Sequence, residues 1–293
     1  MNKVMYSNNF PMDKFITVNG LRLHYLEWGN PKQETVLFLH GFANCAATWI
    51  PIAESLARHY HVLALDQRGH GDSQWTDQDR YRISDLVSDL AGFLDALGIR
   101  ETILAGHSMG GAVAQYFTAE HPGRVDRLVI VDNGPELGEA VLKRIRNRDI
   151  KVKKIFKSRG DVVDYLAMLD PLAPKEILNR EAFYLTKKND SGKFTWKCHS
   201  ITSIKTPILP ETDLSERWEI LTMINCPTLI LRGSESGHLI RDVAEEMVKT
   251  ILNAEFAEVE HAGHFVYRDN AEQFTELLLS FLGLENRGKE AVL

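Results

Sequence analysis

The sequence predicts an α/β protein: a doubly wound, mostly parallel central sheet flanked by helices, interrupted late in its strand order by a mainly helical insertion. Three observations predict it. Short continuous apolar runs (Thr35-Val36-Leu37-Phe38-Leu39, His61 to Leu65, Arg127 to Val131) read as strands covered on both faces, which belongs to parallel sheets. Between them lie segments of roughly ten to fifteen residues with apolar residues at helical spacing. The alternation stops after Asp132 and resumes at Pro227.

Taken in order, Phe15 to Val18 and Leu21 to Trp28 form a hairpin, because Asn19-Gly20 supplies the two positive-φ positions of a type I′ turn. After the Thr35–Leu39 strand, His40-Gly41-Phe42-Ala43 leads into a helix from Ala46 to Arg58. The His61–Leu65 strand is followed by the glycine-rich loop Asp66 to Ser73. Ile83, Leu86, Val87, Leu90, Phe93, Leu94 and Leu97 mark a helix closed by Gly98. Then come the strand Thr102 to Ala105 and an Ala-rich helix from Gly111, with Gly106-His107-Ser108-Met109-Gly110 between them. From Glu136 to Leu214 the composition changes. Val141 to Lys157 is strongly basic and reads as a solvated helix face. Helical pieces follow at Asp161–Leu169 and Pro174–Leu185, then a turn at Asn189–Lys193 and a short extended piece at Phe194–Lys197. Pro227 to Gly233 resumes the sheet. A helix from Ile240 to Leu252, a strand at Phe256–Val259, the loop His261 to Phe265 and a helix from Ala271 to Leu282 complete it. A polar tail runs from Glu285 to Leu293.

The bulk numbers exclude several function classes. The chain has 293 residues, 44% hydrophobic and 25% charged, which suits a soluble protein with a real core. A net charge of −6 gives no electrostatic reason to expect nucleic acid as a partner. No apolar run approaches the roughly 18 residues of a membrane span. The N-terminus lacks the apolar core of a secretory signal, and Cys45, Cys198 and Cys226 are too widely spaced for a disulfide framework. A reducing cytoplasm is the expected setting. No His-Glu-x-x-His, Walker loop or dinucleotide fingerprint occurs, so no cofactor and no metal is expected.

Gly106-His107-Ser108-Met109-Gly110 is Gly-x-Ser-x-Gly between a strand and a helix, the context of a nucleophile elbow. The glycines permit a sharp turn and a close approach of helix to strand. Ser108 then stands at the tip, over a helix N-terminus whose amides favour developing negative charge.

With these residues placed, the chain resembles the α/β-hydrolase fold superfamily over nearly its whole length, in particular its capped, esterase-like serine hydrolases. The resemblance rests on His40-Gly41-Phe42, on Asp66-Gln67-Arg68-Gly69-His70-Gly71-Asp72-Ser73, on the elbow, on Pro227 to Gly233 and on Gly263-His264-Phe265. It implies a hydrolase core of residues 1–134 and 215–293, with a helical cap at 135–214 inserted after the strand ending at Asp132. It implies Ser108 as nucleophile and His264 as base, with His40, His70, His107 and His261 in other roles. The oxyanion hole falls to the backbone amides of Met109 and Phe42. A nucleophilic aspartate would point to a dehalogenase or an epoxide hydrolase, and Ser108 argues against both. Cys45 has no recognised base partner and reads as a packed residue.

The sequence departs from the family at the triad acid. The usual site, three residues past the glycine ending the Pro227–Gly233 stretch, holds Ser236, which carries no charge to stabilise an imidazolium. Asp132, at a strand end that some members use, and Glu235 are the two candidate carboxylates, with Asp132 preferred and a dyad without an acid as the remaining alternative. Trp49 and Trp75 stand either in an apolar acyl pocket or in ordinary core packing.

The resemblance thus implies cleavage of an ester or related small acyl substrate through an acyl-enzyme. A carbon–carbon bond hydrolase of ring-cleavage diketones is the alternative within enzymes. A slow-turnover ligand receptor on the same scaffold is the alternative outside them.

Overall fold

The computed structural model describes residues 10–77, 80–146, 153–171, 173–199 and 213–284. The N-terminal segment before Phe10, residues 147–152 of the basic run and the polar tail from Glu285 lie outside the described residues. Strands β1 (Met12–Val18), β2 (Leu21–Trp28), β3 (Thr35–Leu39), β4 (His61–Leu65), β5 (Thr102–His107) and β6 (Val125–Val131) precede an inserted segment. That segment carries the short strands β7 (Ile155–Phe156), β8 (Thr186–Lys188) and β9 (Phe194–Trp196). β10 (Thr228–Gly233) and β11 (Ala254–Val259) then complete an eight-stranded sheet of order β1-β2-β4-β3-β5-β6-β10-β11. β1 and β2 pair antiparallel with each other, and β2 pairs antiparallel with β4; the other pairings are parallel. The predicted hairpin is present, with Asn19 at φ 52° and Gly20 at φ 78°.

The continuous apolar runs are explained by two packed faces. β3 sends Val36 and Phe38 into one layer, with helices α1 (Ile50–Leu56) and α10 (Ala271–Phe281). It sends Leu37 and Leu39 into the other, with α2 (Ile83–Ala96), α3 (Met109–Glu120) and α8 (Arg241–Thr250). All four side chains are fully buried, and each contributes roughly 1.5–3 kcal/mol relative to exposure. The helix expected from Ala46 to Arg58 is a 3₁₀ turn at Ala46–Trp49 followed by α1, with Pro51 in its first turn, where a missing N–H costs nothing.

The inserted segment contributes no strand to the large sheet among the described residues. It holds α4 (Glu139–Arg146), α5 (Arg159–Leu169) and α6 (Lys175–Tyr184), and β7, β9 and β8 form a small antiparallel sheet beside them. The expected turn closes the β8–β9 hairpin: Asn189 Oδ1 accepts from the amides of Ser191 (3.1 Å) and Lys193 (3.0 Å). Phe156, Phe194 and Trp196 join the same buried cluster as Phe38 and Trp49, so the insertion shares its core with the sheet. The chain returns through α7 (Leu214–Thr222), opened by a capping box between Asp213 and Glu216.

Ion pairs reinforce that junction. Arg268, on the short helix α9 (Val266–Asp269), donates from Nη1 to Glu181 Oε2 of α6 at 2.7 Å and from Nη2 to Asp170. Its Nε lies 3.7 Å from Asp269 Oδ1. Burial, with the Asp269 charge added, pushes the Glu181 carboxyl up to about 8, while burial pulls Arg268 down to about 10. One guanidinium against three carboxylates makes the upward direction for Glu181 the expected one. No helix among the described residues is long and apolar enough to cross a membrane.

Candidate active site

β5 runs into α3 through Ser108, whose φ of 52° and ψ of −118° are rarely adopted by a residue with a side chain. Such a conformation costs about 1–3 kcal/mol and persists only where the surroundings impose it. Here they do. Ser108 N donates to Val131 O at 3.0 Å, tying the turn to the neighbouring strand. A Cβ on Gly106 would lie 2.2 Å from Gly110 O, and one on Gly110 would lie 2.5 Å from Leu39 O. The glycines on either side of the serine therefore let helix, strand and turn touch. A Cβ on Gly41 would lie 2.7 Å from His107 Nδ1 and 3.2 Å from Ser108 Cβ.

Ser108 Oγ lies 3.0 Å from His264 Nε2, and His264 Nδ1 lies 2.6 Å from Asp132 Oδ2. Asp132 directly follows β6, is almost wholly buried, and itself has a positive φ of 46°. Its carboxylate also accepts from Ser236 Oγ at 2.5 Å and, at a longer 3.4 Å, from Gly233 N. A carboxylate at Nδ1 fixes the proton there and leaves the Nε2 lone pair facing the serine hydroxyl. The His264 loop is held by Gly263 N, which donates to Asp269 Oδ2 at 2.9 Å.

Of the two carboxylates singled out in the sequence, the structure brings Asp132 to His264. Glu235 faces away, its side chain half exposed and 3.9 Å from the outward-pointing His261. Ser236 occupies the expected acid position and donates to Asp132 instead. Phe42 is 39% exposed beside the Gly41 turn, and Met109 is the first residue of α3. As an N1 residue Met109 has no intrahelical acceptor for its N–H.

The two tryptophans depart from a pocket role. Trp49 is fully buried, with its ring 4.7 Å from Phe38 and 4.4 Å from Tyr267, because α9 and α10 cover it. It is core. Trp75 lies on His199 at 4.6 Å and donates to Lys197 O at 3.2 Å. It lines a surface groove of 560 Å³ with Leu21, Gln74, Thr76, Asp77 and His199, a lining that includes none of Ser108, His264 and Asp132. Its indole thus ties the chain just past the Asp66–Ser73 loop to the inserted segment. Cys45 is buried, and burial pushes its thiol well above the ordinary range.

Three further histidines frame the site. His40 donates from Nδ1 to Gly41 O (2.8 Å) and accepts at Nε2 from Gln67 N (3.0 Å), which only the neutral ring can do. Burial lowers it to about 3. His107 Nε2 bonds the His264 carbonyl at 2.8 Å, and burial, with His264 nearby, holds it well below the ordinary value. His238 lies face to face with His264, ring centroids 3.5 Å apart and planes 13° from parallel. His238 and the bonding role of Ser236 escaped sequence reasoning. The one available signal was a serine where an acid belonged, with a histidine two residues on.

Buried neutral His40 has a measurable consequence. A folded-state value near 3 against 6.5 unfolded means that its contribution is intact above pH 6.5 and is lost as pH falls toward 3. The free energy of unfolding should therefore lose about 2 kcal/mol from this group between pH 7 and pH 5. Urea unfolding of His40→Gln at the two pH values should show a difference smaller than the parent's by that amount. An identical difference would mean that His40 protonates normally in the fold.

Asp132, His238 and His264 also lie close enough for one ion to reach all three. Parallel rings send their in-plane lone pairs along parallel directions, and His264 already spends both nitrogens on Asp132 and Ser108. The group fits a hydrogen-bonded chain better than a metal cradle.

A family model for the α/β hydrolase fold matches residues 34–149. Epoxide hydrolase 1 of Caenorhabditis elegans is 28% identical over 284 residues, covering 92% of this chain and 70% of that protein. The sn-1-specific diacylglycerol lipase ABHD11 of Danio rerio is 29% identical over 282 residues, covering 92% and 85%. Among solved structures, E-2-(acetamidomethylene)succinate hydrolase superposes with a TM-score of 0.85 at 23% identity, over 93% of this chain and 99% of that one. That last likeness is one of fold.

Proposed function

We propose that this chain, which has the α/β-hydrolase fold, is a serine hydrolase cleaving a carboxylic ester or related acyl compound, a reading that its hydrolase relatives support. The observation that carries the reading is the unbroken chain Ser108 Oγ–His264–Asp132. A serine hydroxyl is a poor nucleophile near neutral pH, and a base within hydrogen-bond reach overcomes that. In the proposed reaction Ser108 Oγ attacks the carbonyl carbon as its proton passes to His264 Nε2. The imidazolium so formed lies against buried Asp132, which stabilises the charge without taking the proton. Collapse of the tetrahedral intermediate expels the alcohol, protonated by His264, and leaves an acyl ester on Ser108. Water, deprotonated by the same nitrogen, then releases the acid and restores the serine.

The developing oxyanion is assigned to the amides of Met109 and Phe42. His40 supports the second of these. By binding Gly41 O it turns that carbonyl toward its own ring, and in a trans peptide the Phe42 N–H then points the opposite way. Residues 135–214 are read as a cap over this site, which makes the substrate a small molecule admitted between cap and core. Ser108 at the elbow, in place of an aspartate, speaks against epoxide opening despite the epoxide hydrolase relative. The lipase relative's name is that of an ester-cleaving enzyme and supports the ester reading. Three free cysteines fit a reducing, cytoplasmic setting.

A panel of p-nitrophenyl esters of increasing acyl length, with fluorophosphonate labelling alongside, tests the proposal. Repeated turnover of at least one ester and a single adduct on Ser108 are expected. An unlabelled Ser108, with no ester cleaved above the Ser108→Ala background, overturns it and favours carbon–carbon cleavage or a receptor role.

A further inference from the structure

We propose that His238 is a positioning residue for this reaction: its ring holds His264 in the plane that serves both Ser108 and Asp132, and its face stabilises the positive charge when His264 takes the proton. This rests on the serine-hydrolase reading above.

His264 sits on a loop, and the tilt of its ring plane is set by rotation about the Cβ–Cγ bond. Its two hydrogen bonds lie in the ring plane, so a tilt of that plane spoils both together. A flat partner on the ring face resists such a tilt. His238 is that partner at 3.5 Å, while His107 meets the imidazole at 45° and 4.6 Å.

The stack is built onto the same atoms as the triad acid. Ser236 Oγ donates to Asp132 Oδ2 and accepts from His238 N at 3.1 Å, so one hydroxyl spaces the carboxylate and the stacking ring. The carbonyl of His238 accepts from Gly138 N at 3.1 Å. Arg232 secures the rest of the loop by donating to Ser236 O (3.1 Å) and Leu239 O (2.8 Å). A serine at the usual acid position thus becomes the hinge point between acid and stack.

The geometry also discriminates between charge states. Two neutral aromatic rings avoid parallel overlap at such a distance, because like quadrupole faces repel. A cation over the face of a neutral ring is attracted. The contact is therefore more favourable once His264 is an imidazolium, the state reached on the way to the tetrahedral intermediate, and only such differential interactions accelerate the chemical step.

The test compares His238→Leu, which keeps bulk without a π face, with His238→Phe, which keeps the face without a titrating group. A π-face role predicts a kcat for His238→Leu lower by roughly 3- to 30-fold at unchanged KM, with His238→Phe close to the parent. The fluorophosphonate labelling rate of Ser108 should follow the same order. Equal rates for parent and His238→Leu overturn the proposal, as does a His238→Phe rate as low as that of His238→Leu. An unlabelled parent would instead count against the serine-hydrolase reading. Should His238→Leu fold poorly, proton NMR supplies a readout free of turnover. In Ser108→Ala the downfield resonance of the His264 Nδ1 proton should persist with His238→Phe and broaden or move upfield with His238→Gly. An unchanged resonance in both removes the positioning role.

Discussion

Replacing Ser108 by glycine is expected to abolish turnover while making the protein harder to unfold. Loss of the hydroxyl removes the proposed nucleophile, and the expected fall in kcat is roughly 10⁴- to 10⁶-fold, the scale seen when a triad serine is removed. The gain in stability comes from the backbone. At φ 52° and ψ −118° a Cβ is strained, and glycine relieves that strain where alanine does not. Ser108→Ala should therefore match Ser108→Gly in lost activity but not in stability. A difference of about 1 kcal/mol between the two, or roughly 2 to 4 °C in thermal midpoint, is expected. Equal midpoints would mean that the elbow bears no strain, and residual turnover in either variant would place the nucleophile elsewhere.

Asp132→Asn is expected to cost about 10⁴-fold in kcat with little change in KM. Asp132 Oδ2 receives donors from both His264 Nδ1 and Ser236 Oγ. An amide nitrogen there would turn the proton of His264 toward Ser108 and remove the base. An amide oxygen there would carry no charge to offset the imidazolium. Glu235→Gln should behave like the parent, since that carboxylate faces His261. The reverse outcome, with Glu235→Gln inactive and Asp132→Asn active, would return the acid to Glu235 and require the loop after β10 to turn inward during catalysis.

The features legible in the sequence are those written in neighbouring residues. Asn19-Gly20 specifies its turn by two local dihedrals. The Thr35–Leu39 run announces two covered faces, and Gly106 and Gly110 announce a close approach whatever lies nearby. Ser108 and its elbow belong to this class. The contact between Asp132 and His264 does not: the two are 132 positions apart, and nothing near either records the distance between them. Residue type narrowed the choice to two carboxylates, and only the placed loop after β10 separates them. Trp49 was ambiguous for a similar reason, since its covering rings, Tyr267 and Phe274, come from the far end of the chain. Of the β7–β9–β8 sheet only the extended piece at β9 is legible, because strands of two or three residues are too short for an alternation to register.

Arg268 gives the architecture a constraint on its evolution. The guanidinium that holds Asp170 and Glu181 of the insertion stands four residues beyond His264, and its neighbour Asp269 holds the amide of Gly263. Replacing or trimming the inserted segment would take Asp170 and Glu181 from a buried guanidinium and leave it Asp269 alone, at the root of the His264 loop. An insertion of another sequence at this place would therefore need acids of its own opposite Arg268.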